Sequence, residues 1–222
     1  CDSLNFVTGN VCWGLFKEAS SSNTILLNQP CPGQVGTPYM ELHGDDAQNQ
    51  DRHAGSTVLA LDMNANGVMD LVLGDISYNT LTLLMNGGSA PNLNSAMISQ
   101  DNAFPSNTVP VNQSVFPAGY HVDINNDGKR DLVVSPASTI GSENEKSVMY
   151  YSNSGADNAP IFNYEQNDFL QSNMIEYGSG SYPVFFDQNG DGLKDLLVSI
   201  QVSYDANSGN QVSKIAYYEN TG

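Results

Sequence analysis

Three stretches of the chain align without gaps and decide its fold: Leu59-Ala-Leu-Asp-Met-Asn-Ala-Asn-Gly-Val-Met-Asp-Leu-Val-Leu73, Tyr120-His-Val-Asp-Ile-Asn-Asn-Asp-Gly-Lys-Arg-Asp-Leu-Val-Val134 and Val184-Phe-Phe-Asp-Gln-Asn-Gly-Asp-Gly-Leu-Lys-Asp-Leu-Leu-Val198. Their first aspartates, Asp62, Asp123 and Asp187, lie 61 and 64 residues apart. A nearly fixed period indicates repeated structural units that stack on one another.

Short β-prone runs alternate with turn residues within each unit. We expect one strand to enter the Asp-rich loop, a second to leave it, and a third to end at a glycine-containing turn. A fourth strand is expected in stretches such as Ala159-Pro-Ile-Phe-Asn-Tyr164. Asn (26), Ser (24) and Gly (20) are abundant, which favours turns over helices. The sequence therefore predicts an all-β fold, a partial β-propeller of four-stranded blades.

The repeats also divide the chain. Residues 1–57 are predicted to be the end of a preceding blade or a Cys-bearing inserted segment. The repeat units are expected at 58–119, 120–180 and 181–222, with the third truncated after its third strand. Propellers usually close with at least four blades, so we expect this stretch to belong to a larger protein.

Each Asp-rich loop carries the donors of a calcium site. Counting from the first aspartate, oxygen-bearing side chains occupy positions 1, 3, 5 and 9, and position 6 is glycine. Such spacing lets side chains converge as the backbone wraps, and a hard cation with six to eight oxygen ligands is enclosed in this way. Oxygen donors without His or Cys favour Ca²⁺, so up to three ions are expected. The side-chain ligands are Asp62, Asn64, Asn66 and Asp70 in the first loop, Asp123, Asn125, Asp127 and Asp131 in the second, and Asp187, Asn189, Asp191 and Asp195 in the third; the position-7 carbonyls of Val68, Lys129 and Leu193 would add one each.

Two other interpretations of the loops agree less well with the sequence. An EF-hand needs a bidentate Glu at position 12, but these loops have Leu73, Val134 and Val198 there, inside β-like runs. A hydrogen-bonded turn without an ion would explain a single copy of the motif better than three copies. In three ion-free loops, eight of the 24 acids would cluster without a counter-charge. Because Asn66 replaces an acid, the first loop is expected to bind calcium most weakly.

Composition limits the partners. Lys plus Arg number 7 against 24 Asp plus Glu, giving a net charge of −17, and the cations are scattered. Nucleic acid and anionic membrane surfaces are therefore poor partners. No apolar run is long enough to span a bilayer, so membrane insertion is not expected. Neither a nucleophilic triad nor a phosphate loop is present, so the sequence predicts a non-enzyme. Cys1, Cys12 and Cys31 favour one local disulfide in an exported protein.

From about residue 55 onward, the chain resembles the FG-GAP or VCBS repeats of calcium-loaded β-propellers, found in integrin α-subunit heads and in large bacterial secreted or cell-surface proteins. The resemblance implies export and a role as an adhesion or display scaffold, with the remaining blades of the same protein or a surface or export complex as partners. Two alternatives stay open. One is glycan binding through Tyr150, Tyr151, Tyr217 and Tyr218; the other is an accessory domain of a secreted polysaccharide-degrading enzyme.

Overall fold

The computed structural model describes residues 12–19, 22–30, 55–91, 94–138, 141–177, 180–205 and 210–222. In these ranges every regular element is a β-strand. The predicted all-β class is thereby confirmed. Over the same ranges, no helix has the length and apolar character needed to cross a membrane. The chain forms two compact units, Cys1–Ser172 and Asn173–Gly222.

Unit 1 contains two four-stranded antiparallel sheets in which each strand pairs with the next along the chain. We call these sheets blade 1 and blade 2, because sequential up-and-down pairing of four short strands is the arrangement of a propeller blade. Blade 1 consists of β3 (Ser56–Leu61), β4 (Asp70–Asp75), β5 (Leu81–Asn86) and β6 (Met97–Phe104). Blade 2 consists of β7 (Pro117–Val122), β8 (Asp131–Pro136), β9 (Met149–Asn153) and β10 (Phe162–Gln166).

Unit 2 repeats the first part of this pattern. Its three-stranded sheet consists of β11 (Tyr182–Phe186), β12 (Asp195–Asp205) and β13 (Asn210–Tyr218), again paired in chain order. The four-stranded sheets of unit 1 and this three-stranded sheet agree with the expected propeller-type repeat.

The apolar core of unit 1 lies between the two blades. Alternate residues of β4, β5, β8 and β9 face it, among them Leu81, Leu132 and Tyr151, none of which is exposed. The ring of Phe162 adds an edge-on contact with Phe104, with 6.0 Å between ring centroids. Burying these side chains contributes about 1.5–3 kcal/mol each, so packing between the blades is a main source of stability.

A two-stranded hairpin, β1 (Lys17–Glu18) and β2 (Ile25–Leu26), packs against blade 1. Ile25 is buried with Leu71, Leu73, Leu84 and Met97. These residues alternate with those that face blade 2, so the hairpin covers the opposite side of blade 1. Cys12, just before the hairpin, takes part in a disulfide bond. Cys1 and Cys31 lie outside the described residues, as does most of the predicted 1–57 segment.

Two sequence expectations shift by a few residues. The fourth strand of blade 2 begins at Phe162 rather than at Ala159. Residues 156–159 instead form a tight turn in which Ala156 and Ala159 exchange backbone hydrogen bonds. Pro160 follows and has no N–H to donate to a ladder. The predicted boundary after Gly119 falls inside β7.

Candidate functional site

The three Asp-rich loops connect the first and second strands of their sheets. Pairing ends at Leu61 with Asp70, at Val122 with Asp131, and at Phe186 with Asp195. The position-9 aspartate is therefore the first residue of the second strand in every case. Strands flank each loop, which excludes the helix–loop–helix arrangement of an EF-hand.

The side chains of positions 1, 3 and 5 turn inward and accept hydrogen bonds from the loop's own backbone. In all three loops Oδ2 of the position-1 aspartate accepts from the position-6 glycine amide, at 2.9, 3.0 and 2.9 Å. The position-3 asparagine accepts from the position-5 amide at 3.2, 2.9 and 3.0 Å. The position-5 side chain accepts from the position-7 amide at 2.8, 2.9 and 2.8 Å. These successive Asx turns hold the position-1, position-3 and position-5 side chains against the backbone of their own loop.

The position-9 aspartates hold each loop to its sheet. Asp70, Asp131 and Asp195 are all completely buried. Oδ2 accepts from the position-2 amide at 2.9, 3.1 and 3.0 Å. Oδ1 accepts from the amide of the asparagine that ends the third strand or follows it, at 2.7, 2.8 and 2.9 Å. Each buried carboxylate is thus satisfied on both oxygens, as a buried charge requires.

Two residues in each loop have left-handed backbone conformations. The glycines at position 6 do so as expected, with φ of 79°, 85° and 88°. Position 4 does so as well: φ is 59° at Ala65, 60° at Asn126 and 78° at Gly190. Because position 4 is a different residue type in each loop, its left-handed conformation could not be predicted from the sequence.

The donor chemistry of the loops fits a hard divalent cation. One buried side-chain oxygen of the described loops lacks a partner: Oδ1 of Asp123, at position 1 of the second loop, makes no hydrogen bond. A buried carboxylate oxygen of this kind is costly unless something compensates its charge. Over the described residues, no three acidic, His or Cys side chains are grouped closely enough to hold a metal ion by themselves. Amide and backbone carbonyl oxygens, which the predicted ligand set includes, would have to complete the coordination.

The loops differ in the groups that surround the position-9 carboxylate. The hydroxyls of Tyr150 and Tyr217 donate to Oδ2 of Asp131 and Asp195 at 3.3 and 3.1 Å. The aligned residue of blade 1 is Leu83, which has no hydroxyl to donate. Burial raises the pKa of Asp70, against the lowering effect of its two amide donors. The Asn220 amide, by contrast, lowers the pKa of Asp195.

The third loop has an additional acid beside it. Asn189 at position 3 donates through Nδ2 to Glu219 Oε1 at 3.0 Å and to Asp191 Oδ2 at 3.0 Å. The residues aligned with Glu219 are Met85 and Ser152. A fourth carboxylate therefore lies next to the third loop, a feature that the nine-residue motif did not indicate.

A hydrogen-bonded connection joins the first two loops within unit 1. The amide of Ala65 in the first loop donates to the carbonyl of Asn158 in blade 2 at 2.7 Å. The neighbouring Asp157 accepts from Arg130 of the second loop, through the backbone amide at 2.6 Å and through Nε at 2.8 Å. The Arg130 amide is the main cause of the lowered pKa of Asp157.

The four tyrosines that could bind a glycan differ in exposure and in the contacts that they make within the protein. Tyr151 is fully buried in the core, so its ring cannot stack on a sugar. Tyr150 packs against Phe169, with 5.0 Å between ring centroids, and bonds Asp131. Tyr217 and Tyr218 are partly exposed, and the hydroxyl of Tyr217 is held by Asp195.

Comparison with known proteins agrees with this geometry. Residues 123–198, about a third of the chain, match a family model described as an FG-GAP-like repeat. The matched range begins at position 1 of the second loop and ends just beyond the third loop, so it spans one full period. No curated protein and no solved structure matches the chain. The segment from Asp123 to Val198 is thus similar to an FG-GAP-like repeat, and the antiparallel sheets are consistent with a propeller-type segment.

Proposed function

We propose that the three loops bind Ca²⁺ and that the chain is a non-catalytic, calcium-stabilised propeller segment of a secreted or cell-surface protein, where it serves as an adhesion or display scaffold. The main support is the loop geometry. The same chain of hydrogen bonds recurs three times, and in the second loop it leaves the buried Oδ1 of Asp123 without a partner. A bound cation would satisfy that oxygen and the carboxylate charge of the loop.

The ligands of each ion would be the predicted oxygens at positions 1, 3, 5, 7 and 9. Carboxylates at positions 1 and 9 are common to all loops, whereas position 5 is Asn66 in the first and aspartate in the others. Ligand charge is one of the factors that set calcium affinity, so the first loop would be the weakest. The additional carboxylate of Glu219 would raise the calcium affinity of the third loop further.

Export agrees with this chemistry. Extracellular calcium modules bind with Kd of about 10⁻⁴ to 10⁻³ M, which suits compartments with abundant free calcium. The disulfide at Cys12 is typical of an oxidising compartment. FG-GAP repeats typically occur in extracellular proteins. A scaffold role is favoured over glycan stacking because two of the four candidate tyrosines, Tyr150 and Tyr151, pack within the protein, and the hydroxyl of Tyr217 is held by Asp195.

The proposal can be tested one loop at a time by NMR. The amides of Gly67, Gly128 and Gly192 each donate to the position-1 aspartate of their own loop. Their ¹⁵N–¹H signals should therefore report occupancy of each loop separately when the calcium-free full chain is titrated with Ca²⁺. Occupied loops should also raise the melting temperature, since binding at a hundredfold excess over Kd is worth about 2.7 kcal/mol per site.

Two variants provide matched comparisons. Asn66→Asp should raise the calcium affinity of the first loop about tenfold, and Asp191→Asn should lower that of the third loop about tenfold. Each change is equivalent to about 1.4 kcal/mol. Gly192 serves as the internal control for Asn66→Asp, and Gly67 and Gly128 serve for Asp191→Asn, because the altered loop then lies in the other unit. If the glycine midpoints stay unchanged in both variants, or if Ca²⁺ moves no glycine signal in the unmodified chain, the loops are hydrogen-bonded turns and not ion sites.

A further inference from the structure

One asparagine recurs beside all three loops although it lies outside the loop motif. Asn86 and Asn153 end β5 and β9, and Asn220 lies two residues beyond the end of β13. They follow their position-9 aspartates by 16, 22 and 25 residues. The spacing varies because the connection between the second and third strands is longer in blade 2 and the strands themselves are longer in unit 2. The contacts nevertheless stay the same.

All three asparagines make the same three hydrogen bonds, and Oδ1 of Asn153 also accepts from the Ile161 amide at 3.0 Å. The backbone amide of each asparagine donates to the position-9 carboxylate, as described above. Its Nδ2 donates to the carbonyl of position 8, which is Met69, Arg130 or Lys194, at 3.1, 2.9 and 3.1 Å. Its Oδ1 accepts from the glycine amide two residues later, Gly88, Gly155 or Gly222, at 2.9, 2.9 and 3.1 Å.

Only an asparagine can make this set of contacts at this length. Aspartate has the same shape but no donor for the position-8 carbonyl, and alanine has neither donor nor acceptor. The side chain thereby fixes the end of the third strand against the last residues of the loop. As a result, its backbone amide lies where it meets the carboxylate of position 9.

We propose that Asn86, Asn153 and Asn220 are positioning residues for cation binding. They hold the position-9 carboxylate in place before an ion binds. Calcium binding then does not include the loss of conformational entropy that ordering this ligand would require. This inference rests on the proposed function, because it concerns the affinity of the same loops. The asparagine side chains act through the aspartate and the position-8 backbone rather than on the ion.

The test compares two substitutions in blade 2. Asn153→Ala removes the side-chain contacts, whereas Val134→Ala shortens a fully buried core residue of the neighbouring strand and leaves the asparagine intact. Both should lower the melting temperature. Only Asn153→Ala should raise the calcium midpoint of the Gly128 signal, by about tenfold or more, as is typical when a residue that orients a metal ligand is lost. The Gly192 midpoint, which reports the loop of unit 2, should stay unchanged.

A second readout needs no ion. The amide of Ile124 donates to Asp131. In calcium-free protein this amide should exchange with solvent faster in Asn153→Ala than in Val134→Ala, if the asparagine holds the carboxylate.

Asn220→Ala tests the same role in the third loop, where the Gly192 signal reports calcium binding. Asn220 is exposed, so its replacement should perturb folding less than that of the buried Asn153. The inference is overturned if the Gly128 midpoint moves no further in Asn153→Ala than in Val134→Ala. It is also overturned if the Gly192 midpoint moves no further in Asn220→Ala than in Val134→Ala. A wild-type chain in which no glycine signal responds to Ca²⁺ would remove the proposed function and this inference together, and that result is known before any variant is made.

Discussion

At the scale of single residues, position 4 of the loops shows how one backbone geometry accommodates three side chains. Glycine adopts a left-handed conformation freely, and asparagine tolerates it, but alanine is strained there by about 1–2 kcal/mol. Ala65 is therefore the least suited of the three residues. Its methyl group is exposed, and so it has no packing contribution that would offset the strain.

Replacing Ala65 should relieve this strain. Ala65→Asn places the residue of the second loop in the first and should raise the free energy of unfolding by about 0.5–1 kcal/mol. Asn126→Ala is the reverse change and should lower it by a similar amount. Chemical denaturation of the full chain at constant calcium measures both. A loss of stability in Ala65→Asn would contradict the argument, because the φ values predict opposite signs for the two variants.

At the scale of strands, a close approach between blades 1 and 2 depends on a residue without a side chain. A Cβ atom on Gly74 of β4 would lie 1.8 Å from the carbonyl oxygen of Pro117 and 2.6 Å from Thr57 Oγ1. The Thr57 hydroxyl itself donates to the Pro117 carbonyl at 2.7 Å. The backbone of β7 thus packs directly against β3 and β4, and no side chain can be inserted there without separating the blades.

Gly74→Ala should consequently destabilise unit 1 by about 1–3 kcal/mol, as overpacking against rigid backbone does. Gly119→Ala is the matched control. There the added Cβ would meet the side-chain ends of Leu59 at 3.3 Å and Leu132 at 3.5 Å, which can move aside. Its cost should stay below about 1 kcal/mol. Thermal unfolding of the two variants distinguishes the cases. Equal losses of stability would mean that the close contact of β7 with Gly74 does not limit the packing of the blades.

The sequence predicts strands and loops well where the periodic pattern is local. The Asp-rich loops and the strands beside them follow from alternating oxygen donors and apolar runs. The start of β10 at Phe162 does not, because it depends on the turn at 156–159. The role of Asn86, Asn153 and Asn220 could have been suspected from their recurrence before a glycine. Nothing in the sequence, however, specifies that they meet aspartates 16 to 25 residues earlier.

At the scale of the whole molecule, negative charge is the dominant property. The formal net charge is −17, and three divalent ions would reduce it to −11. Like charges at exposed positions repel one another over about 10 Å at 0.1 M salt. Calcium and simple salt should therefore relieve the same repulsion by different means, one by binding and the other by screening.

Raising NaCl from low concentration to about 0.5 M should increase the melting temperature more in calcium-free than in calcium-loaded protein. Screening reduces repulsion between carboxylates, and bound ions would already have removed much of it. Differential scanning calorimetry at both salt concentrations, with calcium and with a chelator, gives the comparison. The same salt dependence in both states would argue that the loop carboxylates contribute little to the repulsion.

The turn that connects the first two loops has a consequence for how they would fill. Ala65 bonds to Asn158, and Arg130 bonds to the adjacent Asp157, so both loops restrict the same few residues. Ordering one loop would reduce the conformational entropy that remains to be lost when the other is ordered. Occupancy of the two loops would then rise more steeply with calcium concentration than for independent sites, which is positive cooperativity between neighbouring blades without any change of fold.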